Sequence, residues 1–139
     1  MKKILITVHL LIAIQCFAGD WPQFRGPSAS GVQSERALPT TWDVEKGENI
    51  SWNVTIPGLA HASPIVWGDR VFVATAVAPG EAELKLGLYG DIAPVEEKDP
   101  QQWRLLALEA DSGKTVWNVL GYEGVPRVKR HTKATHCNS

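Results

Sequence analysis

The feature that most narrows the fold is a succession of short β-type runs separated by turn chemistry. No window of about 11 residues after Ala18 shows a convincing helical period. The segment Ile50-Ser-Trp-Asn-Val-Thr-Ile56 alternates apolar and polar residues and is rich in β-branched types, which predicts a strand ended by Pro57-Gly58. Residues 63–67 predict a second strand, Gly68-Asp69 a tight hairpin turn, and 70–76 a third strand. Residues 103–110 and 115–120 predict a fourth and a fifth, joined by Asp111-Ser-Gly-Lys114. The fold class is therefore expected to be all-β.

Between the third and fourth runs lies an insert, 77–102, carrying Pro79, Gly80, Gly87, Gly90, Pro94 and Pro100. It reads as a long surface loop, and such a loop inside a compact domain is functional or inserted. Residues 121–133 form a second loop, basic toward its end. Ahead of the strands, 19–48 is an arm with the apolar anchors Trp21, Phe24, Val32, Leu38 and Trp42, too many for a free tail.

Residues 1–18 read as an export signal: Lys2 and Lys3, an apolar stretch from Ile4 to Ile14, then small residues before a cleavage site preceding Gly19. The stretch is short for a membrane span, which needs about 20 residues. Cys16 could be a lipidation site, but Gln15 before it fits that processing poorly. The expectation is a periplasmic or secreted protein without a membrane anchor. The chain has 139 residues, 14 Lys and Arg against 15 Asp and Glu, and a net charge of −1. Cleavage removes two lysines and no acid, so the mature charge is −3. That acidic balance argues against a nucleic-acid partner. Cleavage also leaves Cys137 as the single cysteine, so no disulfide forms within the mature chain.

The chain echoes itself. Trp52-Asn-Val54 and Trp117-Asn-Val119 share three residues. Each precedes a loop with His and Ser, Gly58-Leu-Ala-His-Ala-Ser63 and Lys133-Ala-Thr-His-Cys-Asn-Ser139. Without the insert, the two Trp are spaced by about 40 residues, the length of a four-stranded propeller blade. A single blade cannot bury both its faces, so repeats must stack. The echo predicts the start of a next blade at 134–139.

Here the residues resemble a family. Leu105-Leu-Ala-Leu-Glu-Ala-Asp-Ser-Gly-Lys-Thr-Val-Trp117 is similar to the repeat signature of PQQ-like (pyrroloquinoline-quinone-like) β-propellers of exported bacterial proteins, with Glu109 where that family usually has Asp. Ser63-Pro-Ile-Val-Trp-Gly-Asp-Arg-Val-Phe-Val-Ala-Thr75 resembles the hairpin that opens each blade. Asp20-Trp-Pro-Gln-Phe-Arg-Gly-Pro27, with Leu38-Pro-Thr-Thr-Trp42, is similar to the lead-in segment of one subgroup. The resemblance implies four-stranded antiparallel blades, about seven or eight in the complete ring. On it, 49–139 is a partial propeller: 50–56 is the outer strand that closes the last blade, and 63–120 is one blade. Ala107, Leu108, Asp111, Gly113, Trp117 and Trp52 carry the repeat signature. Gly113 is free to take positive φ, Asp111 can bond the turn backbone, and Trp117 can stack over the turn of an adjacent blade. The partners implied are the remaining blades, with a protein or small-molecule ligand of the whole.

Other residues carry weaker signals. His61 and His136 occupy equivalent positions before a first strand and are expected to face a propeller channel. His131, His136 and Cys137 form the most metal-like cluster, but their spacing matches no tight zinc pattern, so no metal is assigned. Asp91, Glu96, Glu97 and Asp99 lack a regular calcium loop and read as solvated. Arg127, Lys129, Arg130 and Lys133 read as a solvated or interblade-paired run. No nucleophile elbow, phosphate loop or catalytic carboxylate pair is present. Enzymes of the resembled family hold PQQ and calcium with residues spread over many blades, an adjacent-cysteine disulfide and a Trp floor. None of these is matched, so no cofactor residue is carried over, and PQQ and calcium are conceivable only in a complete propeller. The function expected is a non-catalytic binding or scaffold module. A quinone-dependent dehydrogenase and an outer-membrane assembly accessory are the alternatives. Mass measurement of the exported protein is expected to give a chain starting at Gly19; a lipid on Cys16 would replace the soluble expectation with a membrane anchor.

Overall fold

The computed structural model describes residues 19–34, 37–80 and 94–138. Residues 1–18, read above as an export signal, half of the acidic insert, including Asp91, and Ser139 lie outside them. Four strands form one antiparallel sheet in sequence order: β1 (Ile65–Trp67), β2 (Arg70–Val77), β3 (Gln101–Glu109) and β4 (Thr115–Gly124). A 3-10 turn at Pro27–Ala29 is the sole helical element among the described residues. No described helix is long and apolar enough to cross a membrane.

Each connection follows from its turn residues. Gly68, at φ 58°, lets β1 reverse into β2, with Trp67 opposite Arg70. The β3–β4 turn is closed by Gly113 N–H donating to Glu109 O at 2.9 Å and Glu109 N–H to Lys114 O at 2.9 Å. Its side-chain brace differs from the expected one. Ser112 Oγ donates to Glu109 Oε2 at 2.6 Å and accepts from Lys114 N–H at 3.2 Å. Ser112 and Glu109 thus fill the role assigned to Asp111, which is exposed. The longer Glu side chain at 109 reaches back over the turn to meet the Ser112 hydroxyl.

The core sits along the middle of β3, where Leu106, Ala107 and Leu108 are buried, with Ala76 on β2. In the register, Ala107 lies between Phe72 on β2 and Trp117 on β4. Strands two apart in a sheet are separated by more than 9 Å. The methyl of Ala107 leaves the space over β3 open, so the two aromatic rings approach to 5.9 Å between centroids and leave Ala107 0% exposed. The small side chain at position 107 thus has a packing reason.

The segment 50–56 departs from expectation. It joins no ladder among the described residues, yet its burial still alternates: Ile50, Trp52, Val54 and Ile56 are half-buried while Ser51, Asn53 and Thr55 are exposed. A period of two is what an extended chain presents, and it is kept here without ladder pairing. Trp52 anchors it instead. Its indole Nε1–H donates to Ala110 O at 2.9 Å. Its ring covers Gly113 so closely that a Cβ there would lie 2.6 Å from Trp52 Cε3.

Strand limits also move. β4 continues through Gly124, so residues 121–124 belong to the sheet rather than to the second loop. The insert ends sooner, because Val77 pairs with Gln102. In the arm, Trp21 is seated, exchanging backbone hydrogen bonds with Val66 at 2.8 and 2.9 Å, and Gly68 N–H donates to Asp20 Oδ1 at 2.7 Å. Phe24, Val32, Leu38 and Trp42, expected to anchor it, remain more than 60% exposed.

Gly113→Ala is expected to cost about 2 kcal/mol, combining a non-glycine residue at φ 71° with displacement of the Trp52 ring. Gly68→Ala, at φ 58° with open space around it, is expected to cost about 1 kcal/mol. Urea midpoints of the two variants measure the difference.

Candidate functional site

The end of the sheet away from the Gly113 turn gathers the charged groups. Val95, in the insert, forms an antiparallel bridge with Arg130: Val95 N–H donates to Arg130 O at 2.8 Å and Arg130 N–H to Val95 O at 3.2 Å. That bridge aligns two complementary dipeptides. Lys129 Nζ lies 3.0 Å from Glu96 Oε2 on the exposed side, and Arg130 Nε donates to Glu97 Oε1 at 2.9 Å on the inner side. The other Glu97 oxygen, Oε2, is 2.6 Å from His136 Nε2. Arg130 Nη1 also donates to Ala134 O at 3.2 Å.

These three side chains are removed from water. Arg130 and His136 are each 7% exposed and Glu97 is 19% exposed. Burial pushes the Glu97 carboxyl up. The hydrogen bonds from Arg130 and His136, with the Arg130 charge, outweigh it and hold the group below its ordinary range. An ionised carboxylate only accepts, so the hydrogen in the His136 contact sits on Nε2.

A second layer fixes the imidazole. Trp103 Nε1–H donates to His136 O at 2.9 Å, and its ring meets the His136 ring edge-on at 6.4 Å. Trp103 packs on Tyr122 at 5.5 Å. That pairing depends on a bulge in β4. Arg104 lies opposite Leu120 and Trp103 opposite Tyr122, so Gly121 is the extra residue. In an unbulged register Trp103 would face Gly121, and one wall of the site would vanish. Beside these rings lies a pocket of about 440 Å³, lined by Trp103, Tyr122, His136 and residues 125–128.

The structure distributes the sequence candidates as follows. His136 is buried against Glu97, whereas His61 is exposed. Their backbones nonetheless meet: His61 N–H and Ala62 N–H donate to Cys137 O at 2.9 and 3.1 Å. The two loops of the internal echo therefore lie side by side. His131 Nδ1 accepts from Lys133 N–H at 3.1 Å. Cys137 is a half-buried free thiol that desolvation pushes up. No group of three His, Cys, Asp or Glu side chains among the described residues is arranged to hold a metal. Ala107, Leu108, Gly113, Trp117 and Trp52 all lie at the sheet centre or the Gly113 turn, remote in sequence register from His136.

Two expectations are corrected here. Glu97 is half-buried and accepts from both Arg130 and His136 rather than lying in a solvated loop. Arg130 is paired within its own sheet's loops, not solvated and not paired between blades. The missed signal was the match of Glu96-Glu97 to Lys129-Arg130, two charged dipeptides of opposite sign. Comparison with protein-family models, with curated proteins and with solved structures finds no match.

Because Glu97 is depressed in the folded state, its contribution is present above the unfolded carboxyl range and is lost as pH falls through the lower folded value. Glu97→Gln is expected to lower stability at pH 7 by about 1–3 kcal/mol and to flatten the acid limb of the stability profile. Urea titrations followed by Trp fluorescence from pH 7 to pH 3 measure both.

Proposed function

We propose that the chain contributes one blade, with its lead-in arm, to an exported PQQ-like β-propeller that acts as a non-catalytic binding or scaffold module. The observation that carries this reading is the seat of Trp52 on Gly113. Trp52 is the echo counterpart of Trp117, and the family resemblance implies that such a Trp can stack over the turn of an adjacent blade. One such contact is thus made inside this chain, by a segment with strand-like burial and no ladder partner.

The surface of β4 supports the same reading. Trp117, Val119, Leu120 and Tyr122 are between 37% and 57% exposed, and Leu105 beside them is 43% exposed. Trp117 and Val119 share a face with Leu105, while Leu120 lies on the other face, opposite Arg104. Apolar side chains on both faces of an outer strand suit packing between neighbouring sheets. Further repeats, rather than a soluble environment, are the partners that would cover them. The scaffold role is favoured by the chemistry of the buried cluster. Glu97, Arg130 and His136 engage one another, which suits tying the insert to the second loop. Periplasmic or secreted placement completes the proposal and rests on the signal-like sequence of residues 1–18.

Paired truncations test it. In the 139-residue chain, Trp52→Ala is expected to cost about 2 kcal/mol and Trp117→Ala about half that, since Trp117 keeps only Phe72 as an aromatic neighbour. In a protein continued by further repeats, the two costs are expected to converge, because both Trp then occupy equivalent seats. Unchanged inequality in the longer protein would reject the blade reading.

A further inference from the structure

We infer that the hairpin at residues 42–48 docks on the second loop, at residues 125–128, of another copy of this chain. The hairpin is built before any partner arrives. Asp43 N–H donates to Glu48 O at 3.0 Å, and Glu48 N–H donates to Asp43 O at 2.9 Å. The Asp43 carboxylate accepts from Lys46 N–H at 3.0 Å and from Lys46 Nζ at 2.7 Å. Asn49 Nδ2 donates to Thr41 O at 2.9 Å. Polar groups thus fix the turn, while its apolar side chains stand in water: Trp42 is 67% and Val44 55% exposed. A fixed turn that holds an indole out to solvent loses little freedom when that indole is covered.

Charge selects the surface that covers it. Lys46 neutralises Asp43. Glu45 and Glu48 are left exposed, without a cationic partner among the described residues. The second loop is the counterpart. There Lys129 is matched by Glu96 and Arg130 by Glu97. Arg127 is exposed and has no acidic partner among the described residues. Val125 and Val128 flank it, 48% and 72% exposed. A guanidinium can lie flat on an indole and still donate from its edge to a carboxylate. Arg127 therefore suits Trp42 and one of the two glutamates at once, with the valines left for Val44.

Among the described residues, no hydrogen bond, ion pair or ring contact joins the hairpin to the second loop within the chain. They are two unlike halves of one contact, each present once per chain, so copies join head to tail. Neither half uses Trp52, Trp117 or the faces of β4. The contact stands whether or not the sheet belongs to a propeller.

Sedimentation velocity of the full chain tests it, with melting curves to show that each variant is folded. The parent chain is expected to associate as its concentration rises and to dissociate as salt is added, because the charges involved are exposed. Arg127→Glu and Trp42→Ala are each expected to weaken association about tenfold or more. Mixed in equal amounts, these two variants are expected to form a one-to-one dimer and nothing larger, since one supplies an intact hairpin and the other an intact loop. Adding Glu45→Lys and Glu48→Lys to Arg127→Glu is expected to restore association. A monomeric parent chain, association unchanged in either single variant, two variants that stay apart on mixing, or a charge-swapped chain that stays monomeric would each overturn the inference. Association that grows with salt and survives Arg127→Glu would also overturn it and assign the contact to the apolar surface of β4. The blade reading is tested separately, at Trp52 and Trp117.

Discussion

Dry packing in this molecule is concentrated where β3 runs between β2 and β4. A backbone flanked by hydrogen-bonded strands on both sides needs covering only above and below, and Leu106, Ala107 and Leu108 meet that condition. Ala107 matters most because of what it lacks. A larger side chain there would separate Phe72 from Trp117 and uncover β3. Bringing the rings together couples three strands through one contact, and both hairpin turns inherit their positions from it. The turns are then joined to each other by Ala110 N–H donating to Asp69 O at 3.0 Å.

The strands from residue 65 onward were legible because each is bounded by turn chemistry that acts locally. Gly68 and Gly113 need positive φ, and glycine supplies it wherever the surrounding chain goes. The segment 50–56 was legible only in part. Its alternation correctly foretold which side chains turn inward, but alternation says nothing about whether a partner edge exists. The buried cluster was not legible, because Glu97 and Arg130 are 33 residues apart and sit in stretches whose composition resembles solvated loop. What brings them together is a backbone bridge at Val95, and an isolated bridge has no periodic signature.

That bridge changes the meaning of the insert. A loop between strands is free to drift when only its ends are held. Here the returning limb is fixed by two backbone hydrogen bonds and a buried charge pair before it enters β3. Removing one partner of such a pair leaves an uncompensated charge away from water, so the cluster resists partial loss more strongly than its net stabilisation suggests. The arrangement marks one register of loop on loop, with Val95 opposite Arg130, Glu96 paired with Lys129 and Glu97 reaching both Arg130 and His136.

The same four strands carry two separate kinds of information. The Gly113 turn, Ala107 and Trp117 lie toward one end of the β3–β4 hairpin. Trp103, Tyr122 and the charged cluster lie about four residues further along, or about 13 Å at the rise of a strand. The Gly121 bulge falls between these regions and absorbs the change in register. A substitution that reshapes the pocket therefore need not disturb the turn on which Trp52 rests. A bulge between two parts of a hairpin lets the side chains of one part change without resetting the register of the other.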